Sequence, residues 1–144
     1  MKTLGGCSPQ AAHSSFGTVA TIEKTWSFDA AHRLPNHDGK CRQLHGHTYS
    51  LTIGLCGLVA PLDGSPGEGM VLDYYLLSRV WKEHLEPLLD HRYLNDSLPV
   101  RLTTAELIAA WARDVAVQHL GSVVAFVTVR ETPATAATVW NAGE

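Results

Sequence analysis

Residues 47–55, HTYSLTIGL, alternate polar and apolar side chains without a break. Tyr49, Leu51, Ile53 and Leu55 fall on one face, and Thr48, Ser50 and Thr52 on the other. Successive side chains of a strand point to opposite sides of a sheet, so a period of two marks a half-buried strand. The chain must therefore build a sheet with one apolar face, and something must cover that face. TVATIEKTWSFDAAH, residues 18–32, has strand composition and would place Trp26, Phe28, Ala30 and His32 together. Between the two, RLPNHDGKCRQL carries Pro, Asn, Asp and Gly and reads as a loop.

The cover comes later in the chain. After a turn-rich segment, VAPLDGSPGEG, the stretch DYYLLSRVWKEHLEPLL repeats apolar residues at helical spacing (Leu77, Val80, Trp81, Leu85, Leu88). Asp73 is placed to cap its start, and Pro87 should kink or end it. A second helix is expected over TTAELIAAWARDVAVQHLG, with Thr103 and Glu106 fitting a capping box and Gly121 a stop. SVVAFVTVRE is a β-branched strand, and TAATVWNA could be its hairpin partner. The order ββααββ predicts an α+β fold, an antiparallel sheet with two helices on one face. Such a sheet has two open edges that a subunit contact could cover.

One domain is the simplest reading of 144 residues, 45% of them hydrophobic, enough for a core without disulfide staples. Residues 1–17 are rich in Gly, Ser and Ala and are expected to be a disordered tail, leaving residues 18–144 as the folded unit. The opening residues lack the continuous apolar core of a secretory signal, and no stretch is apolar enough to span a bilayer. A net charge of −3 with scattered basic residues argues against a nucleic-acid or membrane partner. Three cysteines, Cys7, Cys41 and Cys56, form no CxxC pair, so a disulfide scaffold is not expected and a reducing cytoplasm fits.

Eight histidines are more informative. His13, His37, His84 and His119 have no sequence partner and read as surface or core-edge residues. His45 and His47 are two apart at the head of a strand, so their imidazoles share a side. If the first two strands pair as a hairpin, His32 converges on the same point. Three imidazoles at roughly 2.0–2.1 Å hold Zn²⁺ and leave its fourth position open, as a catalytic zinc requires.

Cys41 allows three readings: a small buried hydrophobe, a fourth ligand in a closed zinc site, or a catalytic thiolate beside the metal. An ordinary cysteine, with a pKa of about 8.5, is only a few per cent thiolate at neutral pH. Lys40, Arg42 and a nearby zinc ion could raise that fraction. Asp90 beside His91 could form a carboxylate–imidazole pair for acid–base work, or be a solvated aspartate and a helix-end histidine. Glu131 ends an apolar strand, where a carboxylate is either solvated or able to accept two parallel hydrogen bonds from a guanidine-like ring edge.

Six segments taken in order resemble one family: FDAAH (28–32), CRQLHGH (41–47), GMVLDY (69–74), LDHRYLND (89–96), LTTAE (102–106) and RET (130–132). Together they resemble the 6-pyruvoyl-tetrahydropterin synthases, whose fold is the T-fold, or tunnelling fold. The C-x-x-x-H-G-H spacing resembles the branch that makes 6-carboxy-5,6,7,8-tetrahydropterin for 7-deazapurine (queuosine-type) biosynthesis.

The resemblance implies Zn²⁺ on His32, His45 and His47, Cys41 as proton acceptor rather than ligand, and Asp90 with His91 as the acid–base pair. It implies Glu131 as the anchor of the pterin ring, and substrate contacts from the segment holding Thr103, Thr104 and Glu106. That segment departs from the family pattern N-P-T-x-E-N, lacking both Asn residues and the Pro. The implied substrate is 7,8-dihydroneopterin triphosphate, and the implied assembly is a homohexamer of two trimers with sites between subunits. Two other outcomes stay open on the sequence: a 6-pyruvoyltetrahydropterin product, and a non-catalytic zinc-stabilised binding module.

Overall fold

A computed structural model describes residues 17–142. The tail expected over residues 1–17 lies, except for Gly17, outside the described residues. Strand β1 (Val19–His32) and strand β2 (His45–Leu58) pair antiparallel along their whole length, from Val19 opposite Leu58 to His32 opposite His45. Directly opposed residues share a face, so Phe28 and Ala30 join Tyr49, Leu51, Ile53 and Leu55 on the buried side. The reverse side is polar. Thr25 and Thr52 share a hydroxyl hydrogen bond of 2.7 Å, and Thr48 donates to Asp29 at 2.6 Å.

The first helical segment begins at α1 (Tyr74–Val80), where Asp73 accepts a hydrogen bond from the Tyr75 amide at 2.9 Å. It widens into a π turn over Trp81–Leu85 and ends in α2 (Glu86–Leu89). Pro87 has no N–H for the carbonyl one turn back, and the wider turn ahead of it absorbs that break. The buried side of this segment reaches the sheet through Trp81, whose indole stacks on Trp26 at 5.2 Å and 5°. Helix α4 (Ala105–Leu120) presents Ile108, Ala109, Ala112 and Ala116 to the core and ends at Gly121, whose φ of 76° is open to glycine. It packs against strands β4 (Val124–Arg130) and β5 (Ala137–Trp140), which form the expected hairpin.

The predicted ββααββ order needs correcting. Strand β3 (Arg92–Tyr93), followed by the short α3 (Leu94–Ser97), lies between the helical segments and runs parallel to β1 at Ala30 and Ala31. The sheet is thus mixed, in the order β3-β1-β2-β4-β5. Two residues are too few for a periodic signal. The strand exists because the His91 amide donates to the Asp29 carbonyl at 2.7 Å and lays the chain beside β1. No helix among the described residues is long and apolar enough to cross a membrane.

Gly54 marks a shift of register between β2 and β4. Phe126, its cross-strand partner, lays its ring over the glycine, so an added Cβ would fall within that ring. Gly54→Ala should destabilise the domain by about 1–3 kcal/mol through overpacking. Urea denaturation should also show that its cost and that of Phe126→Ala are less than additive, since removing the ring relieves the clash.

Candidate metal centre

The pairing of β1 with β2 sets His32 opposite His45, with His47 two residues further along the same face. The imidazole centroids lie 4.6 Å apart for His32 and His45, 5.2 Å for His32 and His47, and 4.9 Å for His45 and His47. One ring nitrogen from each lies within 4.8 Å of the others, and this group could hold a metal ion.

Hydrogen bonds at the far side of the rings orient two of them. Nδ1 of His32 donates to the Thr103 carbonyl at 2.8 Å, and Nδ1 of His45 to the Gln43 carbonyl at 2.7 Å. A carbonyl only accepts, so each Nδ1 carries the proton and each Nε2 of the neutral ring is a bare lone pair. Those two Nε2 atoms stand 3.1 Å apart. Two lone pairs at that distance repel unless a cation lies between them. A proton is a poor candidate, because burial pushes the His32 pKa down, against the Thr103 hydrogen bond and the Glu131 charge that raise it. The Nε2 of His47 is buried and has no partner. A divalent ion fits this donor set: two imidazoles whose tautomers are fixed by carbonyls and a third with an unspent nitrogen.

The surroundings come from several elements. Thr103, 1% exposed, also brings its hydroxyl to 3.2 Å from Asn95 Oδ1. Asn95 clamps the Arg33 backbone, accepting from its amide at 3.0 Å and donating to its carbonyl at 2.9 Å. Glu131 Oε1 lies 3.9 Å from His32 Nε2. Cys41 is a half-buried free thiol in a 3₁₀ turn (Lys40–Arg42), and its carbonyl accepts from the Leu34 amide at 2.8 Å. It is not in the group of converging ligand atoms.

Asp90 and His91 form a second cluster. His91 Nδ1 lies 3.0 Å from Asp90 Oδ1, which also accepts from the Asp29 amide at 3.2 Å. His91 adopts φ 56°, a conformation held by the hydrogen bond its amide donates to the Asp29 carbonyl. Its side chain is 78% exposed, and it lines an open cleft with Asp29, Ala31 and Thr48, on the polar face of the sheet, and with His47, whose side chain belongs to the core face. His32 and His45 project from the other face.

A family model described as 6-pyruvoyl tetrahydropterin synthase matches residues 21–142. The chain belongs to that family. It is 48% identical over 94 residues to a Synechocystis sp. protein named 6-carboxy-5,6,7,8-tetrahydropterin synthase, a match covering 62% of this chain and 69% of that one. A Haemophilus influenzae protein of the same name is 39% identical over 75 residues, 52% of each chain. The matched stretch thus spans about half of that second relative. Among solved structures, the Caenorhabditis elegans 6-pyruvoyl tetrahydropterin synthase superposes with a TM-score of 0.75 at 30% identity, covering 87% of this chain and 97% of that one.

The helix start, where this chain departs from the family pattern, is also where the predicted cap moves. Thr104, not Thr103, caps α4, accepting from the Leu107 amide at 3.3 Å. Thr103 is drawn inward onto His32, so the box with Glu106 does not form, and Glu106 is exposed in the first turn. Asp29, Asn95 and Tyr49 were not singled out from the sequence. Asp29 acts largely through its own backbone and Asn95 on that of Arg33, and an alternating strand gives Tyr49 an ordinary core role.

The hydrogen bond from His91, aided by the Asp29 amide, holds the Asp90 carboxyl below the usual aspartate range against some desolvation. A depressed carboxyl contributes stability above its unfolded pKa of about 3.9 and loses it as pH falls through the lower folded value. The stability gap between wild type and Asp90→Asn should therefore be full at neutral pH and close below about pH 4, read from denaturation midpoints across pH.

Proposed function

We propose that this chain converts 7,8-dihydroneopterin triphosphate and one water to 6-carboxy-5,6,7,8-tetrahydropterin, releasing acetaldehyde and triphosphate, in 7-deazapurine biosynthesis of the queuosine type. The observation that carries the reading is the convergence of three imidazoles, two oriented by backbone carbonyls and the third with a buried unspent nitrogen, in a chain of this family. His32, His45 and His47 would hold Zn²⁺. Bound there, zinc supplies a Lewis acid that stabilises negative charge on a side-chain oxygen of the pterin.

The remaining chemistry falls to the chain. Cys41, a half-buried free thiol between Lys40 and Arg42 in sequence, accepts the proton from the carbon next to that oxygen. His91 relays protons to and from side-chain oxygens, with Asp90 fixing its tautomer. Glu131 accepts two parallel hydrogen bonds from the pterin ring and sets the reacting carbons in place. Thr104 and Glu106, at the first turn of α4, border the ring, while Thr103 acts on it through its hold on His32.

His91, with its side chain 78% exposed at the cleft, is open to a neighbouring subunit, which supports sites completed between subunits of a homohexamer. The likeness to the worm enzyme favours a second reading, a 6-pyruvoyl product formed without carbon–carbon cleavage. A closed four-ligand zinc module fits less well, since Cys41 lies outside the converging group.

Incubating zinc-loaded protein with dihydroneopterin triphosphate should yield acetaldehyde equal to the substrate consumed, measured by mass analysis. A pyruvoyl product without acetaldehyde establishes the second reading instead. Cys41→Ala should retain zinc and thermal stability while turnover drops about 10²–10⁴-fold, the usual contribution of a positioned base. Loss of zinc and stability together in that variant would make Cys41 a ligand and sink its role as base.

A further inference from the structure

Two buried side-chain atoms among the described residues lack any hydrogen-bond partner: Nε2 of His47 and the hydroxyl of Tyr49. The two residues are two apart on β2 and share its core face. Their rings meet edge to face, with centroids 5.3 Å apart at 81°, and the Tyr49 ring meets His32 in the same way at 5.9 Å. Tyr49 is fully buried, stacked on Phe28 at 4.9 Å and 4°. A phenylalanine could supply that packing. The hydroxyl is an addition that the fold leaves unsatisfied, and such a group calls for a partner from outside the chain.

What each orphan needs narrows the partner. An imidazole nitrogen without a partner, on a ring that converges with two others, suits a cation. A phenol hydroxyl, a good donor, asks for an oxygen acceptor. An ion held by three histidines keeps an oxygen ligand in its remaining position, so one occupant answers both. Glu131 borders the same space: its Oε1 is 3.9 Å from His32 Nε2.

We propose that Tyr49 is a positioning residue whose hydroxyl donates a hydrogen bond to the oxygen ligand completing the coordination of an ion on His32, His45 and His47. The inference rests on the metal reading above and deepens it. The phenol steers where the oxygen sits and how firmly the ion is kept, and it exchanges no proton.

Tyr49→Phe removes only the oxygen, and zinc itself is the probe, with water as the oxygen ligand. Competition with a chromophoric chelator should show zinc held about 2- to 10-fold more weakly than in wild type, the worth of one net hydrogen bond. The metal-free variant should melt at the wild-type temperature or above it, and the visible bands of the cobalt-substituted form should shift. A purely structural hydroxyl would instead lower the metal-free melting temperature and leave the cobalt spectrum unchanged, and that result overturns the proposal. Unaltered zinc affinity in the variant, with wild type binding normally, overturns the role of Tyr49 alone. Wild type that binds no zinc overturns the metal reading and this one together.

Discussion

Everything near the candidate centre depends on the register of β1 against β2. Fourteen residues pair with fourteen, and the last pair is His32 with His45. A slip of one residue would turn His45, His47 and the whole apolar row of β2 to the polar side. The core prevents it, because Leu51, Ile53 and Leu55 are fully buried and each contributes on the order of 1.5–3 kcal/mol to keeping that face inward. Hydrophobic burial over the length of the hairpin thus sets the aim of imidazoles at its end.

Orientation beyond the strand comes from backbone carbonyls. Thr103 lies outside the sheet, just before α4, yet its carbonyl fixes the tautomer of His32. Asn95 links the same threonine to the Arg33 backbone, using its amide both as donor and as acceptor. The chain after β1, the short α3 and the entry to α4 are therefore tied into one support behind the histidines. Asp29 serves the other side of β1 in a similar way. Its amide, carbonyl and carboxylate engage Asp90, His91 and Thr48 respectively.

The sequence made some of this legible and hid the rest for physical reasons. A period of two over residues 47–55 reveals both the strand and the shared side of His45 and His47, since alternation is geometry as well as statistics. Asp73 as a cap and Gly121 as a stop were readable because each acts on backbone within a few residues. Strand β3 was not, being two residues held by a long-range bond. The cap shifted from Thr103 to Thr104 because the local motif yields when a buried histidine needs a carbonyl. The group of three histidines could be anticipated from spacing and hairpin pairing. The supports supplied by Asp29 and Asn95 depend on contacts about 60 residues away in sequence.

The stacked indoles of Trp26 and Trp81 carry a consequence of their own. Their rings are nearly parallel, one on the first strand and the other in the π turn that covers it. Chromophores this close couple their electronic transitions, and the coupling vanishes when the rings part. The domain therefore contains an optical gauge of whether its first helical segment is seated on the sheet, visible as an exciton couplet in circular dichroism without any added label.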